Sequence, residues 1–283
     1  MSSGSYYNIR IQATPDQQEI IIGELVELGF EAFEQEKHQL SVWAPSEIYD
    51  AGLRDQLTRW LQEQPEERRI LSEDLVGDRN WNAEWEKTIQ PLSIGSFYIH
   101  PTWSDKTPPE GLIPIRIDPK MAFGTGYHET TRLLLRMLPE QDCAGMRVLD
   151  MGSGTGVLAI GALKLGASKA VGIDNDHWCY DNAIENAKLN GVEDRLEIRI
   201  GSDEKIGEAE KFDLILANIN RNVLMDLAEP LVSSLTDGGV LLLSGILEED
   251  QVVVASHPVY NRLKLSNTKQ ENEWLAMAWY KNG

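Results

Sequence analysis

The sequence predicts a doubly wound α/β domain that follows a smaller α+β domain. From residue 113 onward, short apolar runs, typical of strands buried in a parallel sheet, alternate with helical patterns. The predicted strands are residues 147–150, 170–173, 196–200, 212–217 and 240–244. The predicted helices between them are residues 157–165, 178–189 and 224–235, closed by Gly166, Asn190–Gly191 and Gly238–Gly239.

Two more strand-like runs lie near the end of the chain. Residues 263–268 and 274–280 are separated by the turn-like stretch "KQENE". They predict an antiparallel hairpin at the edge of the sheet, which then has seven strands and a Rossmann-like order.

The first 75 residues have a different pattern. Strand, helix and turn signals follow one another in a β-α-β-β-α-β order, which predicts a small ferredoxin-like α+β domain. The predicted strands are residues 6–13, 30–36, 39–43 and 68–75. One predicted helix begins at Thr14–Pro15 and ends at Gly29, and the other runs from a Ser46 cap to about Gln64.

Three segments make up the predicted domain organisation. Residues 1–75 form the small domain, residues 76–112 a connector and residues 113–283 the α/β domain. The connector contains Trp81, Trp85 and Trp103 among prolines and glycines. Since large aromatic rings usually pack against other groups, we expect a structured connector.

Composition excludes several classes of protein. The chain has 45 acidic and 26 basic residues, a formal net charge of −19, which disfavours nucleic acid and favours a basic partner. No apolar run reaches the roughly 18 residues that span a bilayer, and no signal peptide is visible. The two cysteines offer neither a disulfide framework nor metal-ligand spacing. We therefore expect a cytoplasmic protein without a metal.

A glycine-rich loop follows the first strand of the α/β domain. Gly152, Gly154 and Gly156 open a helix, and Asp174 ends the next strand 22 residues after Gly152. Such glycines let a ligand approach the backbone, and an acidic side chain at that strand end binds ribose hydroxyls. The arrangement predicts a nucleoside site.

The spacing of this loop favours S-adenosylmethionine over a dinucleotide. The pattern is G-x-G-x-G rather than G-x-G-x-x-G, and Asp150 precedes it. An acid at this place attracts the ammonium and sulfonium groups of S-adenosylmethionine and repels a pyrophosphate. A nicotinamide-dependent dehydrogenase and a non-catalytic binding module are the alternatives from other classes.

Several longer stretches resemble one family. They resemble the ribosomal protein methyltransferase family PrmA, within the class I S-adenosylmethionine-dependent methyltransferases. The resemblance covers residues 78–246, whereas residues 1–75 match only in the order of elements, where the family has its substrate-recognition domain. The stretches are "DRNWNAEWEKTIQPLSIG", "HPTW", "IDPKMAFGTGYHETTRLLLRML", "LDMGSGTGVLAIGALKLGA", "LANINRNVL" and "LSGIL".

The resemblance implies an activity and a set of site residues. The implied activity is methyl transfer to lysine or N-terminal amino groups of a basic large-subunit ribosomal protein, one that belongs to the stalk base. The implied cofactor contacts are Thr131, Gly152, Asp174 and Asn218. Asp150, Gly154 and Gly156 join them from the loop itself.

Asn218 is the predicted catalytic residue. It ends the fourth strand, where its side-chain carbonyl can orient an amine. Many amino-group methyltransferases have Asn/Asp-Pro-Pro-aromatic here, but this chain has Asn-Ile-Asn-Arg. Without that stacking face for a planar base, a flexible aliphatic amine is favoured, and RNA or a small amine is the alternative substrate.

One further loop is predicted to lie over the cofactor. Gly124 and Gly126 permit a tight turn, and Phe123 is expected to cover the ligand. His128 is predicted either to orient this loop or contact substrate, or to make a structural hydrogen bond.

Overall fold

A computed structural model of the chain describes residues 6–28, 30, 32–46, 48–62, 68–76, 89–120 and 122–283. Backbone contacts separate two units, Met1–Glu84 and Trp85–Gly283. The helix end predicted at Gly29 and the predicted packing of Trp81 and Trp85 lie outside the described residues.

The N-terminal unit has the predicted β-α-β-β-α-β order. Its four strands form an antiparallel sheet in the order β2-β3-β1-β4. The first helix begins as expected, because Thr14 is its N-cap in a capping box with Gln17. The elements are β1 (Tyr6–Gln12), α1 (Pro15–Glu27), β2 (Ala32–Gln35), β3 (Gln39–Pro45), α2 (Ala51–Gln62) and β4 (Arg69–Val76).

The second helix of this unit begins later than predicted. β3 continues to Pro45, and α2 begins only at Ala51. The Oδ1 atom of Asp50 accepts a hydrogen bond of 2.8 Å from the backbone N–H of Leu53. Asp50 therefore supplies the side-chain acceptor at the helix start, and the Ser46 cap was wrong.

Apolar residues from one face of the sheet and from both helices form the core of this unit. Ile9, Ile11 and Val42 are fully buried against Leu25 of α1 and Leu57 of α2. The alternation along β1 and β3 directs these side chains to the same face. The unit thus has a hydrophobic core of its own.

A small sheet opens the C-terminal unit. Within the predicted connector, β5 (Leu92–Ile94) and β6 (Phe97–His100) are antiparallel, and β6 pairs in parallel with β7 (Ile113–Arg116). The described part of the connector is therefore paired with the start of the predicted α/β domain. Helix α3 (Glu129–Met137) follows.

The large sheet has the predicted doubly wound order. Its seven strands run β10-β9-β8-β11-β12-β14-β13, parallel except for the final hairpin, in which β14 is antiparallel to both neighbours. The strands are β8 (Arg147–Met151), β9 (Lys169–Asp174), β10 (Leu196–Ile200), β11 (Phe212–Asn218), β12 (Leu235–Leu247), β13 (Leu263–Glu271) and β14 (Trp274–Lys281). The predicted fold class is confirmed.

Helices cover this sheet, and alternate residues of its central strands belong to two separate apolar clusters. Leu214 and Leu216 of β11 lie in one cluster, and Ile215 and Ala217 lie in the other. Since successive strand residues point to opposite faces, both faces of the sheet are buried. The helices are α4 (Val157–Lys164), α5 (His177–Asn190), α6 (Arg221–Asp226), α7 (Ala228–Ser234) and α8 (Gln251–Ala255).

The third predicted helix, residues 224–235, is divided and ends early. Helices α6 and α7 meet at Leu227, because Pro230 has no N–H to continue the helical hydrogen bonds across that point. The chain enters β12 at Leu235, so Gly238 and Gly239 lie within a strand and do not close a helix.

Three asparagines on α5 attach the segment after β7. The Oδ1 of Asn190 accepts from the N–H of Arg116 (3.0 Å), and its Nδ2 donates to the carbonyl of Arg116 (2.7 Å). Asn186 accepts from the N–H of Asp118 (3.0 Å), and Asn182 donates to the carbonyl of Asp118 (2.7 Å). Because these asparagines are four residues apart, they share one face of the helix.

Asn186 also connects this segment to the glycine-rich loop. It is fully buried, and its Nδ2 donates to the carbonyl oxygen of Thr155 at 3.0 Å. Asn186 therefore bonds to the backbone of the segment after β7 and to that of the glycine-rich loop, which both border the cavity described below.

We expect Asn186→Ala to lower the free energy of unfolding by about 2–4 kcal/mol, because it leaves an amide and a carbonyl without partners. Urea denaturation followed by circular dichroism measures this change. The control is Asn261→Ala, whose exposed side chain makes one long bond of 3.4 Å to Ser256. If the two variants have the same free energy of unfolding, the contacts of Asn186 do not stabilise the fold.

Candidate active site

A cavity of about 460 Å³ lies at the carboxyl ends of the parallel strands. This is where the strand order reverses beside β8, the usual ligand position in doubly wound sheets. Most of the residues that line it lie at or just after the ends of four strands. They include Met151, Gly152 and Gly154 at the end of β8, Ile173, Asp174, Asn175 and Asp176 at the end of β9, Gly201 and Ser202 after β10, and Asn218, Ile219 and Asn220 at the end of β11.

Asp174 holds the glycine-rich loop in place. Its Oδ2 accepts a hydrogen bond of 2.8 Å from the N–H of Gly154, and its Oδ1 accepts one of 3.1 Å from the N–H of Asp176. Each carboxylate oxygen has a second lone pair that can accept from a ligand hydroxyl. The half-buried carboxylate lines the cavity and can still accept hydrogen bonds, and its contact with ribose hydroxyls stays a prediction.

Thr131 and Asn218 lie together although 87 positions separate them in sequence. The Nδ2 of Asn218 donates to the Oγ1 of Thr131 at 3.2 Å, and Thr131 on α3 is almost fully buried. The amide nitrogen is thus turned toward the hydroxyl, which leaves Oδ1 of Asn218 outside this bond. The carbonyl oxygen of Asn218 is therefore available to accept a hydrogen bond from a substrate.

Two glycines make room for Ile219, the residue after Asn218. A Cβ atom at Gly152 would lie 2.3 Å from the Cγ2 of Ile219, and a Cβ atom at Gly245 would lie 2.2 Å from its carbonyl oxygen. The first contact would force the side chain of Ile219 to move, and the second would force its backbone to shift. The position of Asn218 thus depends on glycine in β12 as well as in the glycine-rich loop.

The loop predicted to cover the cofactor is bonded to the glycine-rich loop. The N–H of Thr155 donates to the carbonyl of Phe123 (2.8 Å), and its hydroxyl donates to the carbonyl of Gly124 (2.9 Å). The ring of Phe123 lines the cavity and is half exposed. His128 is the N-cap of α3 and accepts from the N–H of Thr130 at 3.3 Å, which is the structural role.

Three predicted cofactor residues, Thr131, Asp150 and Gly156, are not among the residues that line the cavity. Thr131 is bonded to a lining residue, Asn218, and the other two lie behind the glycine-rich loop. Gly156 is the N-cap of α4 and faces Ala183 of α5. Asp150 is fully buried, and its Oδ2 accepts from the N–H of Ala159 in α4 at 3.0 Å. Burial raises the pKa of Asp150 to about 7, and its Oδ1 has no hydrogen-bond partner among the described residues.

The charges at the cavity are acidic. Asp174 and Asp176 line it, and no lysine or arginine is among its described lining residues. A pyrophosphate would be repelled here, whereas a cationic ligand would be attracted. The electrostatic role expected of Asp150 is thus available from acids at the end of β9.

The sequence matches the family model described as "Ribosomal protein L11 methyltransferase (PrmA)" over residues 9–282. The chain belongs to this family. A ribosomal protein L11 methyltransferase of Porphyromonas gingivalis is 40% identical over 262 residues, 92% of this chain and 89% of the relative. One from Chlorobaculum tepidum is 38% identical over 280 residues, 96% of this chain and 95% of the relative.

A solved structure agrees with this assignment. The crystal structure of a ribosomal protein L11 methylase from Lactobacillus delbrueckii subsp. bulgaricus superimposes with a TM-score of 0.64 and is 30% identical. The match covers 69% of this chain and 100% of that one. The chain is accordingly an S-adenosylmethionine-dependent ribosomal protein methyltransferase.

The cavity fits the methyl donor of the family. S-adenosylmethionine has ribose hydroxyls for Asp174, an adenine for apolar walls such as Ile173 and Leu227, and a positive charge for the acidic surroundings. Among the described residues, no group of three or more His, Cys, Asp or Glu side chains is placed to hold a metal ion. None of the described helices is long and apolar enough to cross a membrane.

Several residues at the cavity were not singled out from the sequence. Asp176, Ser202 and Ile219 line it, and Gly245 sets the position of Ile219. Asp176 and Ser202 follow the second and third strands, and residues after parallel strands commonly form ligand sites. That rule would have found these two. It would not have found Gly245, whose effect depends on a contact with another strand.

We expect Gly245→Ala to lower the rate of methyl transfer at least tenfold, because the new Cβ displaces Ile219 and with it Asn218. Transfer of labelled methyl from S-adenosylmethionine measures the effect. Gly238→Ala is the matched control: Gly238 also has a positive φ, of 78°, but no atom lies within 4 Å of its Cβ position. Equal losses in both variants would assign the effect to backbone strain alone.

The raised pKa of Asp150 gives a pH dependence of stability. In the folded protein the group stays protonated up to about pH 7, whereas its ordinary value is 3.8. The folded state therefore binds the proton more tightly than the unfolded state. This tighter binding adds to the free energy of unfolding below pH 4, and the addition is lost as pH rises toward 7. In Asp150→Asn this loss should be absent, and thermal unfolding between pH 5 and 8 tests it. Parallel curves for both proteins would contradict the assignment.

Proposed function

We propose that this enzyme methylates aliphatic amines, lysine or N-terminal amino groups, of the large-subunit ribosomal protein L11. The observation that carries the proposal is the carbonyl oxygen of Asn218, held at the cavity by the bond from its amide to Thr131. A carbonyl acceptor at this point can bind an amine N–H and turn the nitrogen lone pair toward the methyl group. The planar stacking face that an aromatic base would need is missing from Asn-Ile-Asn-Arg.

The chain's own residues hold the amine and the methyl donor in alignment. S-adenosylmethionine supplies an electrophilic methyl group on its sulfonium sulfur. Gly152, Gly154 and Asp174 hold the nucleoside, and Asn218 places the amine about 3 Å from the carbon that it attacks. The new N–C bond forms as the S–C bond breaks, and the products are the methylated amine and S-adenosylhomocysteine. A nucleophilic side chain of the enzyme is not needed.

Proton loss from the amine precedes the transfer in this proposal. Deprotonating a lysine of pKa about 10.4 costs about 4–5 kcal/mol at pH 7, and an N-terminal amine near 8 costs about 1 kcal/mol. Among the described lining residues, Cys179 is a poor base because burial raises its pKa to about 12, and Asp174 is bonded to loop amides. We therefore assign the proton to water.

Each segment of the chain has a proposed role. Residues 1–75 are the substrate-recognition domain, residues 76–112 the connector and residues 113–283 the methyltransferase domain. A net charge of −19 suits a basic ribosomal protein and disfavours direct reading of nucleic acid. We place the reaction in the cytoplasm, where ribosomal proteins are available. RNA or a small amine is the alternative substrate.

The test is transfer of labelled methyl to unmethylated L11, with mass spectrometry of the product. Asn218→Ala should lower the rate about 100-fold by releasing the amine from its aligned position, with affinity for S-adenosylmethionine changed only a few fold. Asn261→Ala, far along the sequence and exposed, is the control.

Two results would contradict the proposal. If the wild type labels RNA or a small amine and leaves L11 unlabelled, the alternative substrate class is correct. If Asn218→Ala transfers methyl groups at the rate of the wild type, Asn218 does not orient the amine.

A further inference from the structure

Arg68 in the N-terminal unit is a buried guanidinium with unpartnered donors among the described residues. Its side chain is 7% exposed, and Nε and Nη1 have no hydrogen-bond partner among the described residues. No ion pair involves it either within that part of the chain. Burying an unpaired charge opposes folding, so a residue kept in this state is better explained by a ligand than by stability.

Arg68 lines a cavity of about 510 Å³ between α2 and β4. The neighbouring charged side chains already have partners. Arg54 forms an ion pair of 2.5 Å with Glu73, which also accepts from the hydroxyl of Tyr49 at 2.8 Å. Arg69 donates through Nε to Gln12 at 3.1 Å.

The described residues that line this cavity carry a net charge of one positive unit. Its lining contains the three guanidinium groups of Arg54, Arg68 and Arg69 and the two carboxylates of Asp55 and Glu73. In a chain of net charge −19 this is a local exception. The charge balance of the lining and the unpaired donors both indicate that a single anionic group completes the cavity.

We propose that Arg68 binds one acidic side chain of the protein substrate. A guanidinium presents parallel N–H donors that match the two oxygens of a carboxylate. One positive charge suits one carboxylate, whereas nucleic acid would need many phosphate contacts. The inference rests on the proposed function, in which the first 75 residues recognise the substrate.

Arg68→Met removes the charge and keeps an unbranched apolar side chain of similar reach. The KM for L11 should rise about tenfold, while the rate at saturating L11 and the KM for S-adenosylmethionine stay within twofold. The unfolding temperature should stay equal or rise, because an unpaired buried charge is removed. Arg59→Gln on α2 is the control for lost charge, because Arg59 is exposed and, among the described residues, is bonded to the carbonyl of Asp55.

The partner acid can be identified from the substrate. Each Asp and Glu of L11 is changed to Asn or Gln and assayed with both enzymes. One such change should raise the KM of the wild type and have no further effect in Arg68→Met. If every change is additive with Arg68→Met, the proposed contact does not exist.

A second readout is independent of L11. Sodium acetate should raise the unfolding temperature of the wild type more than sodium chloride at equal ionic strength, and Arg68→Met should abolish the difference. If the wild type does not methylate L11, the proposed function fails and this readout still decides the anion site. An unchanged KM for L11 with an active wild type overturns only the Arg68 contact.

Three other outcomes would also overturn the Arg68 contact. The first is a lowered unfolding temperature of Arg68→Met with an unchanged KM for L11, which indicates a structural role. The second is a loss of RNA affinity with an unchanged KM for L11, and the third is the absence of a specific effect of acetate. If Arg68→Met does not fold, Arg68→Lys takes its place, because it keeps the charge but loses the forked donors and should raise the KM for L11 less strongly.

Discussion

The arrangement of the active site depends on the close packing of Ile219 between two glycines. Ile219 follows Asn218 directly, so the space at Gly152 and Gly245 sets where the amide of Asn218 lies. Three separate segments, after β8, after β11 and within β12, must approach one another without side chains at the points of contact. Protein interiors tolerate little change in volume, so this approach is sensitive to a single added carbon.

Hydrogen bonds from buried polar side chains complete this arrangement. Asp174 accepts from the N–H of Gly154, the hydroxyl of Thr155 donates to the carbonyl of Gly124, and Asn186 bonds to the backbone of Asp118 and of Thr155. Each bond joins segments that are 20 or more residues apart in sequence, so the site forms only when the α/β unit folds. Catalysis by alignment requires this rigidity, because the side chains supply orientation and no covalent chemistry.

The two cavities differ in the sign of their charge. The cavity at the strand ends has Asp174 and Asp176 and, among its described lining residues, no lysine or arginine, which suits a sulfonium. The cavity at Arg68 has the opposite sign, which suits a carboxylate. Neither property follows from the net charge of the chain, since that sum does not distinguish one cavity from another.

The sequence by itself determined the fold class, the family and several of the cavity residues, because apolar periodicity and glycine spacing are local patterns. Gly152, Gly154, Asp174 and Asn218 line the cavity, and their contacts with the cofactor stay a prediction. The tertiary structure decided which acids line the cavity, since Asp150 is turned toward α4. It also decided the contact of Asn218 with Thr131 and the isolation of Arg68. These depend on distances between residues far apart in the chain, which no local pattern contains.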